Sequence, residues 1–206
     1  MSIPKEVKLV VTTQSQVMYY NNLPAPVPPQ ITMNGVPLPS PGQLNYVSGY
    51  QVVVIDSTSD YTNPDNILSN TYVGLFSQLD TNSWMSTYPY MYSNMVHNIL
   101  TAGNVEEQLV IIASFGMDYN IAPTNEAYEK MLSLGAGKQL QAWESNPDIG
   151  SQVDNPNSWI SFPANYILVG FSDVGYAQGY EAFQHKQDSV TTSLQVTLEN
   201  PVPPVS

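Results

Sequence analysis

The first regular pattern in the chain is EVKLVVTT, where Val7, Leu9 and Val11 alternate with Glu6, Lys8 and Val10 before a polar break. A period of two sends successive side chains to opposite faces of an extended backbone, so this stretch predicts a β-strand. The segment NNLPAPVPPQITMNGVPLPSPG follows and holds seven of the chain's seventeen prolines. Within it, Asn34-Gly35 separates two short runs. Asn-Gly is the dipeptide favoured in type I′ turns, where both central residues take positive φ, so a small hairpin between extended, proline-bearing arms is expected here. A plain linker is the alternative.

Three further stretches are apolar without alternation: Val52 to Ile55 in YVSGYQVVVIDSTSD, then QLVIIAS, then NYILVGFS. Continuous apolar runs of this length predict strands covered on both faces. SLQVTLEN alternates again and reads as a terminal strand, with PVPPVS as a tail. Residues 61–92 are rich in Asn, Ser, Thr and Tyr, with Pro64 and Pro89 as breakers, and predict mainly loop with weak helical pieces. YMYSNMVHNILTAG sets Met91, Met95, Ile99 and Leu100 on one helical face and stops at Gly103. In TNEAYEKMLSLGAG, Thr124 or Asn125 can cap a helix whose apolar face is Ala127, Tyr128, Met131, Leu132 and Leu134. Gly135 then stands where a left-handed residue ends a helix. Strands separated by helices, with hairpins at both ends, predict an α+β domain.

The 206 residues suit one core, with an N-terminal strand and proline-rich arm over 1–30, a main domain over 31–200 and a tail over 201–206. Five lysines, no arginine and seventeen acids give a formal charge of −12. Such an acidic chain lacks the cationic surface that neutralises phosphates, so neither nucleic acid nor anionic membrane is an expected partner. Only 11% of residues are charged, and Ser, Thr, Asn, Gln and Tyr carry the polarity, which suits bonding to neutral polyols. With no cysteine there are no disulfides, thiol nucleophiles or thiolate metal sites. MSIPKEVKLVV has only three consecutive apolar residues and no stretch is long enough to span a bilayer, so a Sec signal or membrane insertion is not expected. That leaves a cytoplasmic location or release by a non-classical route.

Catalytic constellations are weak. His97 and His185, the only histidines, stand in no metal-ligand or triad spacing. GFSDVG lacks the G-x-S-x-G order of a nucleophile elbow, and Gly135-Ala136-Gly137-Lys138 follows a helix where a phosphate loop would follow a strand. Asp56 and Asp118 each follow a buried strand and could approach one another as a carboxylate pair if the strand ends coincide, or could simply shape turns. Asp148, Asp154, Asn155 and Asn157 are oxygen-rich without the order of a calcium loop. No metal and no cofactor is therefore expected. Aromatic residues among polar ones speak more clearly: Trp143 beside Glu144, Trp159, and Tyr88, Tyr90 and Tyr92. A sugar offers an apolar C–H face to stack on a ring and hydroxyls for acids and amides. Packing of Trp143 into the core is the alternative.

The ordered motifs ITMNGVPL, GYQVVVIDSTS, LVIIASFGMD, TNEAYEKMLSLGAG followed by AW, and NYILVGFSDVGYAQGYEAF resemble the GG-domain family of the interleukin-like EMT inducers, over about residues 31–200. The same domain serves as the sugar-binding stem module of a glycosyltransferase that extends O-mannosyl glycans. The resemblance implies a compact sandwich of two antiparallel β-sheets flanked by helices, and a non-catalytic, lectin-like pocket. It carries Asp118 over as the pocket acid and Trp143 as the aromatic position. It departs at Glu144, where the family has Arg followed by Asp, so acidic sugars are not expected ligands. The expected site is Asp118, Trp143, Glu144 and Asp56 around a glycan or small neutral sugar. A fold retained for binding a protein partner is the other expectation.

Overall fold

Backbone pairing assembles the predicted strands into two antiparallel sheets. The computed structural model describes residues 4–16, 18–19, 25–46, 48–74, 107–116, 125–144, 160–161, 164–172, 174–185 and 188–201. The four-stranded sheet runs β11(Val190–Glu199), β1(Glu6–Ser15), β3(Gln30–Met33), β4(Val36–Pro37). The five-stranded sheet runs β10(Tyr180–His185), β9(Ala164–Phe171), β7(Gln108–Phe115), β5(Gly49–Asp56), β6(Ile67–Gly74). A two-stranded pair joins β2(Met18–Tyr19) to β8(Ile160–Ser161). The expected sandwich of two antiparallel sheets is therefore present.

The burial of each strand explains its sequence pattern. On β1, Val7, Leu9 and Val11 are buried while Glu6 and Lys8 are exposed, as alternation requires of a sheet with one covered face. These residues meet Ile31, Met33, Val196 and Leu198 of their own sheet and Val53, Ile55, Leu109, Ile111, Ile167 and Val169 of the other. The opposite face of the five-stranded sheet presents Tyr50, Val52, Val54, Val110, Ile112, Tyr166 and Leu168 to a second buried cluster. That cluster includes Ala127, Met131 and Leu134 from helix α1(Asn125–Ser133) and its end, and Leu140 and Trp143 from helix α2(Lys138–Glu144). Strands covered on both faces have no polar side to alternate with, which accounts for the unbroken runs in β5, β7 and β9.

Turn chemistry follows the same logic. Asn34 and Gly35 have φ of 51° and 79°, the left-handed pair of a type I′ turn, and join β3 to β4. Helix α1 ends at Gly135, φ 105°, whose N–H donates to the Leu132 carbonyl while Ala136 N–H reaches the Met131 carbonyl. Asn200 accepts the Tyr61 N–H at Oδ1 (2.9 Å) and donates from Nδ2 to the Pro4 carbonyl (3.0 Å) and Asp60 Oδ1 (2.8 Å).

Two elements differ from the sequence expectation, and a third, YEAFQH, carries none. Residues 67–74, expected to be loop, form strand β6, with the 3-10 turn Pro64–Asn66 before it. Its ILSNTYVG sequence hides the period because both faces are only partly covered near its start, and pairing along β5 holds it in place. YEAFQH forms β10 against β9. Residues 138–144, expected to lead from a turn to a ligand-facing tryptophan, are helix α2. The predicted helix over 91–103 lies outside the described residues, and residues 25–29 carry neither helix nor strand. Among the described residues no helix is long and apolar enough to cross a membrane.

Candidate functional site

Of the expected site residues, Trp143 is placed most clearly, and it is inside the protein. It is 1% exposed, stacked on Phe183 (ring centroids 5.7 Å, planes 19° apart) and tilted against Tyr166 (5.8 Å). Tyr166 and Phe183 are register partners on β9 and β10, so the indole sits on the strand pair beneath α2. In this state it offers no face to a ligand. Glu144 ends α2 and Asp118 lies outside the described residues. The oxygen-rich group Asp148, Asp154, Asn155 and Asn157, together with Trp159, Tyr88, Tyr90 and Tyr92, also lies outside them.

Asp56 ends β5 and shapes the following turn. Its Oδ1 accepts from the Thr58 backbone N–H (2.9 Å) and Thr58 hydroxyl (2.7 Å), and its Oδ2 from the Ser59 hydroxyl (2.9 Å). This is the turn-forming role of a strand-end Asp. The approach of strand ends assumed for a carboxylate pair fails, because β5 and β7 are antiparallel: Asp56 pairs with Gln108, while β7 ends at Phe115 opposite Gly49. Seven residue steps separate those ends, about 23 Å at the usual strand rise. Trp143 belongs to the Gly49 end too, since Tyr166 N–H donates to the Ser114 hydroxyl. Asp56 and Trp143 therefore do not share a mouth.

The same bonds set an acid dependence. The Thr58 side chain, then its backbone N–H and Ser59, hold Asp56 below its ordinary 3.8. Desolvation raises Asp60, but bonds from Asn200 and Thr62 outweigh it and leave that carboxyl below its ordinary value. A folded value below the unfolded one means that each carboxylate stabilises the fold above pH 3.8 and that this contribution vanishes as pH falls through the lower folded value. Asp56→Asn keeps an acceptor for Thr58 but removes the charge, so its melting temperature should fall less steeply with acid than that of wild type. Identical acid limbs in the two proteins would show that Asp56 ionisation is not linked to folding.

A built, solvent-facing surface is found elsewhere, on the loop between β9 and β10. Tyr176 (47% exposed) and Tyr180 (46%) flank the exposed Ala177 and Gln178. Three backbone bonds strap this loop to the end of α1 and the turn after it: Gly175 N–H to Ser133 O (3.2 Å), Ala177 N–H to Ala136 O (2.8 Å) and Gly179 N–H to Gly135 O (2.8 Å). Ala177 takes a left-handed φ of 58° within it. Tyr176 donates its hydroxyl to Gln141 Oε1 on α2 (3.0 Å). The surface around Tyr176 is thus aromatic and amide-bearing, and it is held by backbone bonds, while the β9–β10 register turns Tyr180 to the other face of β10. The signal in the sequence was VGYAQGY itself, two tyrosines in a glycine-punctuated polar stretch, overshadowed by the tryptophan.

Among the described residues no group of three or more His, Cys, Asp or Glu is placed to hold a metal ion. No known family model matches the chain, and no curated protein matches it.

Proposed function

We propose that the chain is a non-catalytic, lectin-like carbohydrate-binding domain whose ligand is a neutral sugar, taken on the Tyr176–Tyr180 loop. The observation that carries this reading is the half-exposed Tyr176 ring, bonded to Gln141, on a loop strapped by three backbone bonds that also exposes Gln178. Tyrosine rings stack on the C–H face of a sugar while amides and phenol hydroxyls bond its rim. A loop already held in place loses little freedom on binding, which favours affinity from few contacts. The scarcity of charge and the resemblance to GG domains support the same class of ligand. The proposed face differs from the one expected around Trp143, Glu144, Asp118 and Asp56, because the Trp143 indole is buried.

Titration of neutral mono- and oligosaccharides into wild type, Tyr176→Ala and Tyr180→Ala tests the reading. Wild type should bind with Kd on the order of millimolar to micromolar, and Tyr176→Ala should weaken binding about tenfold, while Tyr180→Ala, on the opposite face of β10, should weaken it less. Raising the salt should change little, since no ion pair with the ligand is involved. Absence of binding to any neutral sugar, or undiminished binding by Tyr176→Ala, would overturn it. The reading that then takes its place is a protein-binding domain, favoured by the exposed Val36 (67%) and Leu68 (57%) on strands β4 and β6.

A further inference from the structure

We infer that Glu181 is the positioning residue of Tyr176, an inference that rests on the sugar-binding reading above. Glu181 follows Tyr180 on β10, and its carboxylate joins three elements. Oε1 accepts the Gln139 N–H (2.7 Å), and Oε2 accepts the Leu140 N–H (3.2 Å) and the Tyr166 hydroxyl (3.0 Å). Amide groups in the first turn of a helix have no partner within it, so the carboxylate supplies what α2 lacks, and its charge suits that end of the helix. Tyr166 is fully buried, and burial first and the Glu181 charge second push its hydroxyl well above the ordinary tyrosine value, so it stays a donor.

Helix α2 in turn carries Gln141, which accepts the Tyr176 hydroxyl, and Trp143, which stacks on Phe183. The Tyr176 end of the loop is therefore held to this seven-residue helix through Gln141. The seating of α2 sets where the Tyr176 ring stands, and Glu181 sets the seating of α2. A glutamine at this position has one acceptor oxygen where the carboxylate has two. It cannot receive the Gln139 and Leu140 N–H groups on separate oxygens, and its NH₂ would face a donor.

The test uses the full chain with Trp84→Phe and Trp159→Phe, which leaves Trp143 as the single indole, and compares it with and without Glu181→Gln. Glu181→Gln should shift Trp143 emission to longer wavelength, speed hydrogen exchange at the Gln139 and Leu140 amides, and weaken binding of the neutral sugar about tenfold. Unchanged emission and exchange would overturn the seating role, and altered seating with unchanged affinity would overturn the positioning role. If the parent chain binds no neutral sugar, the proposed function fails, while emission and exchange still decide whether Glu181 seats the helix. Should Glu181→Gln not fold, Gln141→Ala decides: it cuts the exposed link between Tyr176 and α2, and undiminished sugar affinity in that variant would overturn the inference.

Discussion

Gly170→Ala should lose about 3 kcal/mol or more of stability in chemical denaturation, at the upper end of what overpacking a core usually costs. A Cβ at Gly170 would overlap the Leu134 carbonyl oxygen and lie 2.9 Å from its carbon. Backbone cannot turn aside as a side chain can. Leu134 is held by its own N–H to the Lys130 carbonyl (3.1 Å), and the residues on either side of it, Ser133, Gly135 and Ala136, are tied to the β9–β10 loop by the Gly175, Gly179 and Ala177 bonds. On the other side β9 is paired with both β7 and β10, so neither the strand nor the helix end can retreat without breaking hydrogen bonds. A loss below about 1 kcal/mol would show that the end of α1 shifts freely over the sheet, and would weaken the case for a rigid tyrosine loop.

Trp143→Ala should cost about 3–5 kcal/mol, the usual range for removing a large buried aromatic, and Trp143→Phe markedly less. The indole is 1% exposed and shares its cluster with Tyr166, Leu140, Met131 and Phe183. Its removal leaves a cavity between α2 and the β9–β10 pair that Ala cannot fill. Denaturation of both variants, with sugar titration at a temperature where each is folded, separates two roles. A ligand platform would lose affinity and keep its stability. A core residue loses stability, and a Trp143→Ala protein as stable as wild type would contradict the buried placement.

Much of the strand content was legible because its causes are local. The alternation in EVKLVVTT reflects one covered face, and the run LVIIASF reflects two. Asn34-Gly35 and Gly135 could be read for the same reason: positive φ is a property of the residue itself, and both positions have it in the structure. Strand β6 was not legible, since Ser69, Asn70 and Thr71 carry no periodic signal and owe their extended form to Val54, Val53 and Val52 across the ladder. Helix α2 was missed because KQLQAWE is too short for a helical period to show, and its first-turn amides find their partner on Glu181. Of the candidate site, the chemistry of Asp56 as a turn former was readable from its place before Ser57 and Thr58. The tyrosine face was present in the letters of VGYAQGY, but nothing there distinguished it from an ordinary loop.

By itself the sequence determined the periods, the turns and the electrical character of this protein. Those follow from nearest neighbours along the chain, from the conformations each backbone residue tolerates, and from a plain sum of charges. Only the tertiary structure decided direction and cover. An apolar run such as VVVI has no polarity along its length, so it does not say whether the neighbouring strand runs with it or against it; the antiparallel choice sent Asp56 and the end of β7 to opposite ends of the sheet. A tryptophan is large, apolar and a hydrogen-bond donor at once, so its burial depends on what the fold brings over it. For Trp143 that partner was Phe183, distant in sequence and adjacent only because β10 pairs with β9.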